Sequence, residues 1–339
     1  MLMYLEKYLC MFAFIYMVSS ETFCPNVATH GADRRENQNK LTIMQYNVEW
    51  LFLDYYKNAD CPGDGCSWKN STESMTHLDY VANVINLYNP DIINLCEVEG
   101  CDELTTLASK ISPELKPYLI EGLDTSTGQN VGMLTKVDPM TNLIRNDETY
   151  AYPVSGSQCG YDGTGTTGVS KHYITTFKLK NVNIAFISLH LLAYPDKSDR
   201  CSKREAQAKI VESVVSGYVK NGYEIIVLGD FNDYDKEVTD VNSDMPISSV
   251  LDIIKGYDTD TYVLTNVNEK LNKSDRYSNW WDKNGDCKAT SDEMVLIDHI
   301  LVTDGILELV TSMSIYHGYV ESCDTLNSDH YPLILELNI

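Results

Sequence analysis

Carboxylates, asparagines and histidines recur at the ends of apolar runs in this chain. Asn47 and Glu49 follow TIMQY, Glu97 follows IINLC, and His190 follows IAFISL. Asp230 and Asn232 come after IIVLG, Asp298 and His299 sit in VLIDHILV, and Ser328-Asp329-His330 precedes YPLILEL. One polar strand end is ordinary solvation. Six such clusters of the same residue types imply one assembled site, because open α/β sheets bind ligands beyond their strand ends.

These residue types suit phosphodiester hydrolysis. Hard oxygen ligands such as Glu97 hold Mg²⁺, Mn²⁺ or Ca²⁺, and Asn47 can ligate directly or through water. Attack on a phosphodiester needs an activated water, neutralised charge on the equatorial oxygens and a proton for the leaving oxygen. Histidines held by carboxylates serve both proton transfers near neutral pH. Of the seven histidines, His190 and His330 follow the strand-end pattern with chemical neighbours. His299 adjoins Asp298 on a strand, so the two side chains face opposite sides, and it reads as structural.

The elements that must position these groups alternate between strand and helix from Leu41 onward, the pattern of a mixed α/β domain. LTIMQYNVEWLF begins as a strand, and Leu78, Val81, Ala82, Ile85 and Tyr88 recur at helical spacing until Pro90. DIINLCEV is an apolar strand and CDELTTLASKI a short helix. Gly128 to Leu134, His172 to Leu179 and Val182 to His190 read as further strands, the last apolar on both faces from Ala185 on. Arg204 to Val219 returns to helical spacing, and EIIVLGD, LIDHILV and YPLILEL are strands. Asp54 to Glu73 and Tyr150 to Ser170 read as loops. No internal repeat or linker divides the chain, which reads as one domain over residues 41–339.

The segments QYNVEWL, LCEVEG, SLHLLA, LGDFND, LIDHIL and SDHYP resemble, in order, the motifs of the endonuclease/exonuclease/phosphatase superfamily. That superfamily includes deoxyribonuclease I, abasic-site endonucleases, sphingomyelinases and inositol-polyphosphate 5-phosphatases. The ordered set spans about residues 43 to 335, nearly all of the chain past its leader. The resemblance implies two β-sheets packed face to face with helices outside, a four-layer α/β sandwich. It also implies roles. Glu97 is the main metal ligand with Asn47 beside it, and Asp329 faces the metal cluster. Asp230 positions or activates the attacking water and Asn232 contacts phosphate. His190 donates a hydrogen bond or proton to the phosphate. His330 is the paired acid/base, oriented by Asp298. Asn130, in GQNVGML, reads as a phosphate contact or a turn residue. Arg204 reads as a residue that steers an anionic substrate or as a solvated helix start.

A second metal loop is open on spacing. Asp282, Asn284, Asp286 and Glu293 occupy positions one, three, five and twelve of a calcium loop. Position six, normally glycine, is Cys287, so calcium binding and an acidic surface loop both remain.

The chain has 339 residues and a formal net charge of -23. Such a charge repels polyanions unless cations intervene. The reading is nevertheless a phosphodiesterase with DNA or RNA as substrate, because repulsion is screened beyond about 10 Å and divalent ions reverse it locally. The alternative is a phosphoesterase of phospholipid headgroups or inositol phosphates. A 5-phosphatase would carry a basic insertion that is not seen. A sphingomyelinase would expose an aromatic hairpin, for which Trp280-Trp281 is the sole candidate. A non-catalytic protein on this fold would have lost catalytic positions, and none is lost.

Residues 1–20, with Lys7, an apolar run from Tyr8 to Val18 and small Ser19 and Ser20, read as a secretory signal followed by an extension over 21–40. A monomer without a membrane span is expected. Removing Cys10 with the leader leaves an odd number of cysteines, with Cys96 in its apolar run as the free thiol. Cys61 and Cys66 could close a small loop. Asn70 and Asn272 head sequons.

Overall fold

The structure is a computed structural model that describes Cys24, residues 31–53, Cys61, and residues 66–319 and 325–339. The expected signal segment lies outside the described residues.

The first half of the chain runs β1 (Lys40–Leu51), α1 (Ser71–Tyr88), β2 (Ile92–Val98), α2 (Cys101–Ile111), β3 (Lys116–Leu119) and β4 (Asn130–Thr135). A short ribbon follows, β5 (Tyr150–Tyr152) and β6 (Gly165–Thr167). Then come β7 (Lys171–Leu179), β8 (Val182–His190), α3 (Ser198–Lys220), β9 (Glu224–Asp230), α4 (Val250–Lys255) and β10 (Thr265–Asn266). The chain closes with β11 (Asn279–Trp280), β12 (Met294–Val295), β13 (Asp298–Val302), α5 (Asp304–Leu307), β14 (Val310–Ile315) and β15 (Leu333–Asn338).

Two sheets carry the fold, one ordered β14-β15-β1-β2-β4-β3 and the other β10-β13-β9-β8-β7. Each is built around one parallel pair, β1 with β2 and β8 with β9, and is otherwise antiparallel. A parallel pair needs a crossover. Helix α1 supplies the first and α3 the second.

Strand alternation sorts the core into layers. In β1, Leu41 and Ile43 enter the apolar layer between the sheets, while Met44, Tyr46 and Val48 pack outward against α1 and α2. In the second sheet, Phe186, Ile226 and Leu228 face inward, and Ala185, Ile187, Ile225 and Val227 meet α3 and α4. The result is the expected helix–sheet–sheet–helix sandwich. Helix α1 starts where the Asn70 side chain accepts from the Thr72 and Glu73 amides, and it stops at left-handed Asn89 before Pro90. A disulfide from Cys24 to Cys101 pins the N-terminal extension to α2, and Cys61–Cys66 and Cys159–Cys201 are also bonded. Cys96 is free and buried. Among the described residues no helix is long and apolar enough to cross a membrane.

Several elements differ from the sequence reading. The expected loop from Tyr150 to Ser170 holds the β5–β6 ribbon. Strand β14 shows no apolar run because Thr311, Ser312 and Ser314 interrupt it, yet it pairs along β15.

Gly229, next to Asp230, has φ +148°, and a Cβ there would lie 1.8 Å from the Leu189 carbonyl oxygen. Only glycine lets β9 run this close to β8 just before the strands end. Gly229→Ala should destabilise the fold by about 2–4 kcal/mol in urea titrations, the range of severe local overpacking. A change below about 0.5 kcal/mol would show that the contact is not needed.

Candidate active site

The two parallel pairs end on the same side of the sandwich. Asn47 is paired with Cys96, next to Glu97, and His190 is paired with Asp230. Strand β13 runs antiparallel to β9 and sets Asp298 opposite Asp230. At these ends the backbone leaves regular geometry. Glu49, Trp50, Glu97 and Asn232 all have positive φ, between 44° and 67°, and the ladders shift register beyond Asn47 and Cys96. Non-glycine residues tolerate this region poorly, so such a concentration is held by surrounding contacts.

Those contacts join the two sheets. Asn47 Nδ2 donates to Asp230 Oδ2 at 3.1 Å and to Glu97 Oε1 at 3.3 Å, and lies 3.4 Å from His330 Nε2. Its amide oxygen accepts from the Glu49 amide. Glu97 Oε2 accepts from the Trp50 amide and from Gln129 Nε2 at 2.7 Å. His190 Nε2 lies 3.5 Å from Asp230 Oδ2 and 3.9 Å from Glu97 Oε1. Asp298, 1% exposed, accepts from Gln45 on one oxygen and from Ser278 on the other, where His330 Nδ1 also sits at 2.6 Å. The polar chain continues inward, from Asn94 to Gln45 and from the Tyr173 hydroxyl to Asn94.

The surroundings shift the two histidines in opposite directions. Burial pulls the His330 imidazole down, but the charges of Asp298, Asp329 and Asp230 override it and raise its pKa well above the ordinary value. Burial lowers His190 well below, and the positive charges of Lys171 and His330 add to this. Burial and repulsion from Asp298 push Asp230 up to about 7. Burial does the same to Glu49, with Glu97 adding repulsion.

Carboxylates crowded this way repel one another, and His330 offsets part of their charge. The donor set is all oxygen apart from the histidines, and such a set fits a hard divalent cation. Glu97 and Asp230 flank the Asn47 amide and His190 at this edge.

Solved structures share this architecture. A mannosyl-6-phosphatase of Bacteroides thetaiotaomicron is 16% identical at TM-score 0.53, matching 88% of this chain and 100% of that one. An endonuclease/exonuclease/phosphatase family protein of the same organism is 17% identical at TM-score 0.52, over 88% and 94%. Truncated TDP2 of Caenorhabditis elegans is 16% identical at TM-score 0.50, over 88% and 98%. This chain has the endonuclease/exonuclease/phosphatase fold. No family model matches the sequence, and no curated protein matches it.

Within that fold the remaining candidates fall in different places. Asp329 is next to the site, where its amide donates to Glu49 and its charge acts on His330. Asn130 serves the backbone, accepting from Gly122 and donating to the Glu99 and Gly128 carbonyls. Its neighbour Gln129 is the residue that reaches Glu97. Arg204 is neither a steering group nor a solvated helix start. It is fully buried, paired with Asp233 at 2.9 Å and donating to the carbonyls of Leu192, Tyr194 and Pro195. A guanidinium has enough donors to clamp the loop that leaves His190. His299 is buried between Asn266 and the Asp233 carbonyl.

In the 282–293 loop, Asp282 accepts from the amides of Gly285, Asp286 and Cys287, and the Asn284 and Asp286 side chains accept from amides two residues on. Glu293 accepts from Trp280 Nε1 and from the Lys283 and Thr290 amides. These side chains hold the loop's own turns, so the geometry does not gather the four expected ligands around one point.

Sequence reasoning missed Gln45, Gln129, Lys171 and Ser278. Gln45 shares the inward face of β1 with Asn47, a period-2 signal that was available. Lys171 pairs across strands with His190 and reaches Gln129 Oε1 at 3.1 Å. Nothing local marks it.

Asp230 is 2% exposed and its carboxyl is raised from an ordinary 3.8 to about 7. Between pH 4 and 7 the folded protein therefore binds a proton there that the unfolded chain does not. That contribution to stability is full below about pH 4 and lost as pH rises through 7. In chelator at pH 8, Asp230→Asn should be more stable than the parent by on the order of 1 kcal/mol or more, the gap closing toward pH 4. A variant less stable at pH 8, or a gap independent of pH, would refute this account.

Proposed function

We propose that the protein is a secreted, divalent-metal-dependent phosphodiesterase whose substrate is nucleic acid, DNA or RNA. The observation that carries this reading is the meeting of Glu97, Asp230 and Asn47 with His190 and the Asp298-bound His330 at a single edge of the sandwich. Three disulfides among the described residues support an oxidising compartment.

Mg²⁺ or Mn²⁺, held by Glu97 with Asp230 and Asp329 beside it and Asn47 bridging the carboxylates, would supply positive charge to the phosphate oxygens. Asp230, fixed by the Asn232 amide, orients a water for attack on phosphorus and takes its proton. Asn232 sits beside it to contact phosphate. His330, kept protonated and aimed by Asp298, is the acid that protonates the leaving oxygen. His190 is the second hydrogen-bond donor, held neutral so that it does not repel the cation. Lys171, bonded to Gln129, adds a cationic side chain beside the site.

The second reading, a lipid or inositol phosphoesterase, draws on Trp281, which is 48% exposed beside the β11–β12 ribbon. Among the solved relatives, the Bacteroides protein is named for a sugar phosphate substrate.

Turnover of bis(4-nitrophenyl) phosphate should vanish in excess EDTA and return with Mg²⁺ or Mn²⁺. His190→Ala and His330→Ala should each lower kcat by about 10²-fold. Full activity after exhaustive dialysis against EDTA would end the metal-dependent reading. A panel of plasmid DNA, RNA, sphingomyelin and inositol phosphates separates the substrates, and cleavage of only the last two would favour the second reading.

The excess of 49 acidic over 26 basic residues leaves few direct phosphate contacts. With Mg²⁺ saturating, kcat/KM on nucleic acid should therefore rise or stay level with added monovalent salt before it falls. A steep decline from the lowest salt would reveal a basic groove instead.

A further inference from the structure

The loop that leaves His190 holds an aromatic ring in the open under backbone strain. Tyr194 is 51% exposed and has φ +71°, a left-handed conformation that a bulky side chain enters at a cost. Buried Arg204 keeps it there, donating to the carbonyls of Leu192 and Tyr194 at 3.0 Å and of Pro195 at 2.8 Å. The Lys197 amide closes the turn on the Tyr194 carbonyl at 3.3 Å. A half-exposed ring gains little from burial, so packing does not offset this strain. A buried guanidinium that holds a strained turn and presents a ring to solvent points to a ligand that meets the ring.

Cations surround it. Lys197 Nζ lies 3.9 Å from the Tyr194 ring centroid and the Arg200 guanidinium 5.9 Å. The strip continues along the first turns of α3, where Lys203 Nζ lies 5.7 Å from the Tyr152 centroid, and Tyr152 lies 6.3 Å from Tyr161. The Cys159–Cys201 disulfide ties these turns to the segment that carries the β5–β6 ribbon. Asp199 stands between Arg200 at 3.9 Å and Lys203 at 3.4 Å, while Lys197 forms no ion pair among the described residues. Residues 194–203 thus carry three cations against two acids, in a chain whose balance is 26 against 49.

A tyrosine ring with cations beside it suits an unpaired nucleotide. The ring stacks on the base, whatever its identity, and the cations meet the neighbouring phosphates. Four residues of chain place Tyr194 no more than about 14 Å from His190, within reach of nucleotides beside the bond that is cut. A duplex keeps its base faces stacked inside and presents denser charge to an acidic chain. A single strand offers free faces and less charge.

We propose that Tyr194, with Lys197 and Arg200, is a stacking platform for a nucleotide flanking the scissile phosphate, and that the substrate is single-stranded nucleic acid. This rests on the nucleic-acid reading above and selects within it. Stacking is an uncharged attraction, so it gives a chain of net charge -23 a hold on a polyanion with few phosphate contacts.

Steady-state kinetics with saturating Mg²⁺ test it on DNA and RNA oligonucleotides, each as a single strand and as a duplex of the same sequence. The parent should cut the single strand about tenfold or more faster, as kcat/KM, and the two arms identify which sugar it takes. Tyr194→Ala should shrink that preference about tenfold, the scale of one lost base–aromatic stack, and should act through KM. Tyr194→Phe and Tyr194→Trp should keep it. Tyr80→Ala, which removes an exposed tyrosine of α1, should leave it unchanged. Tyr194→Gly separates presentation from packing, because glycine accepts a positive φ without strain. Its Tm should hold or rise while the preference falls. The inference is overturned if Tyr194→Ala keeps the preference, or if Tyr194→Gly lowers Tm by more than about 3 °C, which would make the ring a packing residue. A Tyr194→Ala variant that loses turnover of sphingomyelin vesicles and keeps that of oligonucleotides would overturn it in favour of membrane contact. Equal cutting of single strand and duplex by the parent ends this inference and leaves the nucleic-acid reading standing. Failure of the parent to cut any oligonucleotide ends both.

Discussion

The Asp298 carboxylate belongs to the five-stranded sheet, but two of its donors, Gln45 and His330, come from the six-stranded sheet and the loop leading into its strand β15. Asp230 repeats the arrangement, receiving Asn47 from the opposite sheet. The apolar layer between the sheets thus gives way to hydrogen bonds at one edge. A buried carboxylate is tolerable only when its lone pairs are met. The sheets therefore cannot slide past one another without leaving charge uncompensated. The interaction that aims His330 is the same one that registers the two halves of the sandwich.

The strand ends depend on that registration. Glu49, Trp50, Glu97 and Asn232 hold left-handed backbone conformations that isolated strands would not keep. Side-chain contacts fix them, among them the Trp50 amide on Glu97 and the Asn232 amide on Asp230. Beneath the β9 loop, Arg204 pairs with Asp233, and buried Lys255 meets both oxygens of Asp235 at 2.9 and 3.1 Å. Breaking a buried pair of this kind typically costs about 3–5 kcal/mol, because the remaining charge has no partner. The loop that presents Asp230 and Asn232 is thereby held on rigid supports, as the proposed positioning of a water requires.

Net acidity and phosphate chemistry are compatible for an electrostatic reason. In the proposed reaction the acidic groups at the site serve as ligands, and His330, its pKa raised by their field, serves as the acid. A phosphate approaching such a centre meets repulsion from the surface and attraction only at close range. That favours recognition through bound cations over a broad basic face.

Much of this was legible in one dimension. Apolar runs ending in Asn, Glu, Asp or His identified the strands and the polar ends that meet at one edge, because a buried strand and the polar group at its exit are both local features. Helix α2 and strand β8 begin and end where their patterns predict. His299 was separated from Asp298 by alternation alone. The orientation of groups that leave the strand was not legible. Asn130 bonds the backbone of Gly122, Glu99 and Gly128 while Gln129 reaches Glu97, beside the register shift between β2 and β4. Arg204 looked like an exposed helix start and is buried, because Asp233, far along the chain, waits beneath it. Gln45, Ser278 and Lys171 join the site through contacts between elements distant in sequence. Residue spacing determined which groups this protein brings to its strand ends. The packing of one sheet on the other decided which of them meet, since partners so far apart in the chain are chosen by close packing in three dimensions and not by any local period.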